Sequence, residues 1–149
     1  MHRIQPPYEK IPMDIAYLVT PLLTWLVVGP LKFLINSIRT RQWAFGLIGN
    51  GGFPSNHSAV VTSMATLIAL REGIGEPAFG VAVTLGLIVI IDANSLRQHV
   101  GKHAAALNRL AGGESAHGLL RERMGHTLVE IGGGICTGVL IALGIYSLL

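Results

Sequence analysis

The sequence predicts an all-α integral membrane bundle of about four transmembrane helices plus an interfacial amphipathic helix. Three observations carry that reading. Half of the 149 residues are hydrophobic and only 13% are charged, against about 25% in a soluble domain. Mean hydropathy is +0.55. Four apolar blocks, residues 13–38, 57–70, 77–91 and 127–149, are separated by more polar stretches. A chain of this composition cannot cover a water-soluble globule with polar surface, and its length suits one domain, residues 1–149.

Residues 1–12 form an irregular or interfacial lead-in, with Pro6 and Pro7 adjacent and no apolar stretch of the kind a cleavable signal needs. The first block is long enough to cross, since about 20 residues span the hydrocarbon core. Pro21 and Pro30 lie within it, and either can kink a helix. Residues 40–54 connect to the second block and hold Trp43, an interface-type aromatic, and a glycine turn from Gly49 to Gly52. The second and third blocks are shorter, a length that also suits re-entrant or buried helices. The expectation is thin or tilted spans that borrow flanking residues. Residues 71–77 read as a short loop between them. Residues 95–125 are the longest polar stretch, with an amphipathic helix expected over residues 96–110 and a break over residues 111–115. The last block spans easily. Its Gly134 and Gly138 have the GxxxG spacing that admits close helix packing. With so few spans enclosing little core, a homo-oligomer is expected.

Tracing four spans places Lys32, Arg39, Arg41, Arg97, Lys102, Arg109, Arg121 and Arg123 on or near one membrane face. Only Arg3, Lys10 and Arg71 fall on the other. Cytoplasmic loops are rich in Lys and Arg, so the basic face is expected to be cytoplasmic. The sequence pI near 9.4 is then membrane-face charge. No basic–aromatic motif or reader fold points to nucleic acid. The lone cysteine, Cys136, excludes an internal disulfide.

Ser55 is a good helix N-cap, and His57 stands in the first turn after it. A glycine-rich turn feeding a helix start offers free N–H groups and the positive end of the helix dipole, a seat for an anion. A histidine at its rim exchanges protons near neutral pH. The alternating topology brings three more elements to the same face. They are Lys32 with Arg39, the stretch from Asp92 through Arg97 to Lys102, and Gly125-His126-Thr127-Leu128-Val129-Glu130. His126 and Glu130 share a helical face at i,i+4, where a carboxylate can hold the imidazole tautomer. Lys32, inside an apolar run, is either functional or snorkels to the interface. Asp92 and Arg97 at i,i+5 are poorly placed to pair on an α-helix, so Asp92 is expected to find its partner on another helix. His99 and His103 have metal-ligand spacing, but with no third ligand a solvated helix face is expected. Asn36, Asn94 and Asn108 suit polar contacts between helices.

The ordered set Lys32-x6-Arg39, Pro54-Ser55-Asn56-His57 and His126-x3-Glu130 resembles the type 2 phosphatidic acid phosphatase superfamily, which includes the vanadium haloperoxidases. Gly51 to Ala59, Asp92-Ala93-Asn94 with Arg97, Gly101-Lys102 and Gly125 to Glu130 are similar to its short divergent branch of small membrane proteins. That likeness runs from about residue 25 to the end. It implies a metal-independent hydrolysis, without cofactor, of a lipid or isoprenoid phosphomonoester through a phosphohistidine. His126 would be the nucleophile, Glu130 its orienter and His57 the general acid. Lys32, Arg39, Ser55 and the amides near Asn56 would hold the phosphoryl oxygens. The superfamily's arginine six residues before the nucleophile is Leu120 here; Arg97 is the preferred substitute, with Arg121 and Arg123 as alternatives. Thr40, Asn56 and Glu130 stand where proline, glycine and aspartate are usual. The resemblance implies a multi-pass protein of the bacterial inner membrane whose partners are membrane lipid and the phosphorylated substrate. The competing expectation is a non-catalytic protein that binds or moves phospholipid or polyprenyl-phosphate head groups. A vanadate-dependent peroxidase would need a richer cationic set.

Overall fold

A computed structural model describes residues 15–41, 52–111 and 118–148. Trp43, Gly49 to Gly51 and the lead-in with Arg3 and Lys10 lie outside the described residues. Within them the chain is helical and without strand: α1 (Ile15–Thr40), α2 (Asn56–Arg71), α3 (Pro77–Ile91), a π turn (Asp92–Leu96), α4 (Arg97–Leu110) and α5 (Leu128–Leu148). Among the described residues three segments are long and apolar enough to cross a membrane: Ile15–Arg39, Pro77–Leu110 and Leu128–Leu148.

Each helix follows from local chemistry. α1 runs through both Pro21 and Pro30; a membrane helix tolerates proline where neighbouring groups re-satisfy the freed carbonyls. α2 starts at the Ser55 cap, whose hydroxyl accepts the Ser58 N–H at 3.3 Å. It ends where the N–H groups of Glu72 and Gly73 both turn back onto the Ile68 carbonyl, Gly73 taking φ +101°. That left-handed residue suits glycine and closes the helix. Pro77 then opens α3 at its first position, where no N–H is needed. α3 is apolar on every side, and of its residues only Ala82 is buried; such a helix belongs against lipid.

The expected boundary after α3 is absent. Residues 92–96 contain neither proline nor glycine, so the helix continues through the π turn into α4, 34 residues in all. The amphipathic segment expected over residues 96–110 is the outer end of this long helix. It is packed on the non-helical strap of residues 118–127 that leads to α5. Asn108 clamps that strap, donating to the Leu120 carbonyl at 2.8 Å and accepting the Leu120 N–H at 2.8 Å. A Cβ on Gly101 would fall on the Glu122 carbonyl oxygen. Asn108 thus holds a loop, while Asn94 bonds Gln98 within its own helix.

α2, at 16 residues, sits at the centre and packs against α5, α1 and α3. Backbone proximity holds the α2–α5 pair. A Cβ on Gly134 would strike the Ser55 carbonyl oxygen, one on Gly138 the Ala59 carbonyl oxygen, and one on Gly133 the Phe53 ring. The GxxxG spacing of α5 therefore serves contact with α2. Hydroxyls glue α1 to α2, where buried Thr24 donates to buried Ser63 at 2.9 Å. At the end remote from Ser55, Tyr17 donates to Glu72 at 2.7 Å, and Arg71 lies over the Tyr17 ring at 5.5 Å. The end of α1, the start of α2, the π turn and the start of α5 meet at the opposite end.

Candidate functional site

The start of α5 is a capping box. Thr127 Oγ1 accepts the Glu130 N–H at 3.3 Å, and Glu130 Oε2 accepts the Thr127 N–H at 3.0 Å. The same Oε2 stands 3.2 Å from His126 Nδ1. With Nδ1 assigned as the donor to that carboxylate, neutral His126 presents an unprotonated Nε2. His126 is 5% exposed. Its ring meets that of His57 edge-on, centroids 5.6 Å apart and planes at 62°. The Ser55 N–H donates to the Glu130 carbonyl at 2.9 Å, which locks the start of α2 to the start of α5 and so places the two histidines.

The π turn holds His126 from the other side. A π turn bonds i to i+5, and here the Arg97 N–H donates to the Asp92 carbonyl. The buried Ala93 carbonyl accepts the His126 N–H at 2.9 Å. Gln98 Nε2 donates to the His126 carbonyl at 3.1 Å and to Asn94 Oδ1 at 3.0 Å. Gly125, at φ +87°, threads between these groups, and a Cβ there would lie 2.8 Å from Gln98 Cγ. The backbone N–H of His126 is thereby anchored to the π turn and its carbonyl to the first turn of α4.

The π geometry also corrects the expectation for Asp92. Arg97 Nε donates to Asp92 Oδ2 at 3.0 Å. On an α-helix i,i+5 residues diverge, whereas the wider π turn stacks them. Both side chains are partly exposed, so the pair is worth little to stability, ~0–1 kcal/mol; it fixes where the guanidinium lies.

Lys32 reaches the site across Gly52. A Cβ on Gly52, at φ +132°, would stand 3.2 Å from Lys32 Cε and 3.4 Å from the Asn36 side chain. Glu130 and Arg121 act electrostatically on Lys32. Lys32 and Arg97 both act electrostatically on His57 and on His126. Burial holds His126 below the usual histidine range, the Glu130 hydrogen bond opposes this, and the charges of Lys32 and Arg97 add to the lowering. The imidazole therefore stays neutral at pH values where a free histidine begins to protonate. Two substitutions should move it in opposite directions. Lys32→Met removes a cation that disfavours imidazolium, so His126 titrates at higher pH. Glu130→Gln removes the favouring carboxylate, so it titrates at lower pH. Histidine ¹⁵N chemical shifts against pH read both, and shifts of the same sign would contradict this electrostatic arrangement.

Lys32, His57, Arg97, His126 and Glu130 thus converge. Ser55 is fully buried, and its hydroxyl accepts from the Ser58 N–H and from Ser58 Oγ at 3.1 Å. Asn56 begins α2; its Oδ1, like His57 Nδ1, is buried without a hydrogen-bond partner among the described residues. Arg39 is exposed near the end of α1, about 10 Å along the axis from Lys32, and no contact among the described residues joins it to the histidines. Leu120 is exposed on the strap, and Arg121 there donates to the Arg123 carbonyl at 3.4 Å. His99 and His103 are exposed on α4, and no third His, Cys, Asp or Glu joins them among the described residues. Three contributors escape sequence reasoning: the Ala93 carbonyl, Gln98 and the Thr127 cap. The Thr127-x-x-Glu130 capping box was readable; nothing in the sequence signals a π turn.

The sequence profile described as "Divergent PAP2 family" matches residues 13–141. The chain is similar to the Bacillus subtilis (strain 168) protein described as "Uncharacterized membrane protein YuiD". The two are 28% identical over 145 residues, covering 87% of this chain and 90% of that protein. No solved structure matches.

Proposed function

We propose a function from one established premise: this chain belongs to the divergent PAP2 family. Its site hydrolyses a phosphomonoester on a lipid or isoprenoid without metal, through a phosphohistidine. The observation that carries this reading is the pair of facing histidines, 5.6 Å apart, one of them backed by a carboxylate.

His126 Nε2 attacks phosphorus while Glu130 accepts the Nδ1 proton's hydrogen bond and stabilises the charge that develops on the ring. The P–N bond forms as the P–O ester bond breaks, and His57 protonates the departing alkoxide. Water then attacks the phosphohistidine, giving its proton to His57; the P–N bond breaks and inorganic phosphate leaves. Phosphoryl transfer depends chiefly on positioning and on charge at the equatorial oxygens. Lys32 and Arg97 supply that charge, with Arg121 close enough to act electrostatically on Lys32. Amides at the start of α2 add donors, and Asn56 Oδ1 lies beside them. Arg39 draws the anionic head group toward the face. In the bilayer α2 forms a fourth, short crossing among the three long ones, and the long helix carries α4 to the interface. The basic face is cytoplasmic, the protein belongs to the bacterial inner membrane, and copies associate to cover the exposed helix faces.

Purified protein in liposomes should release phosphate from at least one of phosphatidic acid, phosphatidylglycerophosphate or a polyprenyl monophosphate. Release should persist in EDTA and be inhibited by orthovanadate. A second reading, non-catalytic binding or movement of the same head groups, is favoured by Leu120 at the arginine position and by the capped, buried Ser55 hydroxyl. It predicts head-group binding with no phosphate release from any of the three lipids.

A further inference from the structure

Resting on that hydrolytic reading, we propose that the π turn Asp92–Leu96 is the positioning element of the site, with Gln98 and Asp92 as positioning residues. Gln98 sets the nucleophile, and Asp92 sets the phosphate-binding arginine. The wider winding of the π turn frees the Ala93 carbonyl, and the His126 N–H takes it at 2.9 Å. One turn on, Gln98 takes the His126 carbonyl at 3.1 Å while Asn94 steadies its amide at 3.0 Å. His126 precedes α5 and lacks helical bonds of its own. These two bonds are what stop its backbone from turning. Asp92 accepts from Arg97 Nε at 3.0 Å, which leaves the outer guanidinium donors for phosphoryl oxygens. One short segment therefore orients both the attacking imidazole and a guanidinium for the equatorial oxygens, and a misplacement of about 1 Å there costs ~10²-fold in rate.

The two roles separate kinetically. Gln98 is exposed, so Gln98→Met removes the donor at little risk to folding. It should lower kcat about tenfold with KM nearly unchanged. Asp92→Asn keeps the shape and loosens Arg97, so it should weaken orthovanadate inhibition and raise KM about tenfold with a smaller change in kcat. A purely structural role would lower stability and leave this split unmade. An active wild type with both variants unchanged in kcat, KM and vanadate inhibition overturns the inference. A wild type that releases no phosphate overturns the hydrolytic reading alone, and the His126 ring then decides the inference. Histidine ¹⁵N spectra should show one His126 signal set in the wild type and a shifted or doubled set in Gln98→Met. Identical His126 signals in the two proteins overturn the positioning role whatever the activity.

Discussion

His126→Asn should abolish phosphate release, by about three orders of magnitude or more, while the helices stay intact. The anchoring bonds of His126 are made by its backbone, to Ala93 and from Gln98, so losing the ring does not release the start of α5. The substituted amide cannot attack phosphorus. Glu130 makes the comparison informative, because its carboxylate serves both the Thr127 cap and the His126 ring. Glu130→Gln retains a cap acceptor and removes the charge behind the imidazole, so it should slow turnover with little loss of stability. Glu130→Ala also loses the cap, at a cost of ~1 kcal/mol. Rates and unfolding midpoints in detergent should separate the three. His126→Asn with wild-type turnover would remove the nucleophile from the account.

The second large effect concerns the frame. Gly134→Leu should dismantle the α2–α5 contact and leave little folded protein. A Cβ there meets the Ser55 carbonyl oxygen, with Ser58 Cβ at 2.9 Å, and backbone of a capped helix start cannot yield as a side chain can. Overpacking costs ~1–3 kcal/mol even for small additions, a large part of the stability of a chain this size. Gly132 and Gly144 on the same helix have nothing within 4 Å of a built Cβ. Their alanine variants should match or slightly exceed wild type, since alanine is the better helix former. Thermal unfolding in detergent compares the three. Equal stability of Gly134→Leu and Gly132→Ala would contradict the close approach of α2 and α5.

The apolar blocks made most of the helices legible, because composition dictates helix wherever backbone must satisfy itself in lipid. The i,i+4 spacing of His126 and Glu130 was readable for the same geometric reason, and the GxxxG spacing marked α5 for close contact. What the spacing withheld was the partner: nothing in Gly134 or Gly138 names α2. The gap at Asp92 is more instructive. Measured against α-helical geometry, i,i+5 puts Asp92 and Arg97 apart, and the opposite result rests on one extra residue wound into a turn. π turns have no sequence signature of their own. The Ala93 carbonyl and Gln98 were therefore invisible as site elements, and the long helix was expected to end where it continues. Ser55 shows a related limit. The residues alone read it as a cap, the family resemblance adds a phosphate role, and the structure shows the cap, with Ser55 Oγ accepting from the Ser58 N–H.

The most direct test of the central claim is to trap the intermediate. Wild-type protein turned over with ³²P-labelled lipid phosphate and quenched in alkali should carry an acid-labile label. Peptide mapping should place it on His126, and His126→Asn should carry none. Phosphate release by wild-type protein with no label on His126, or with the label elsewhere, would contradict the account.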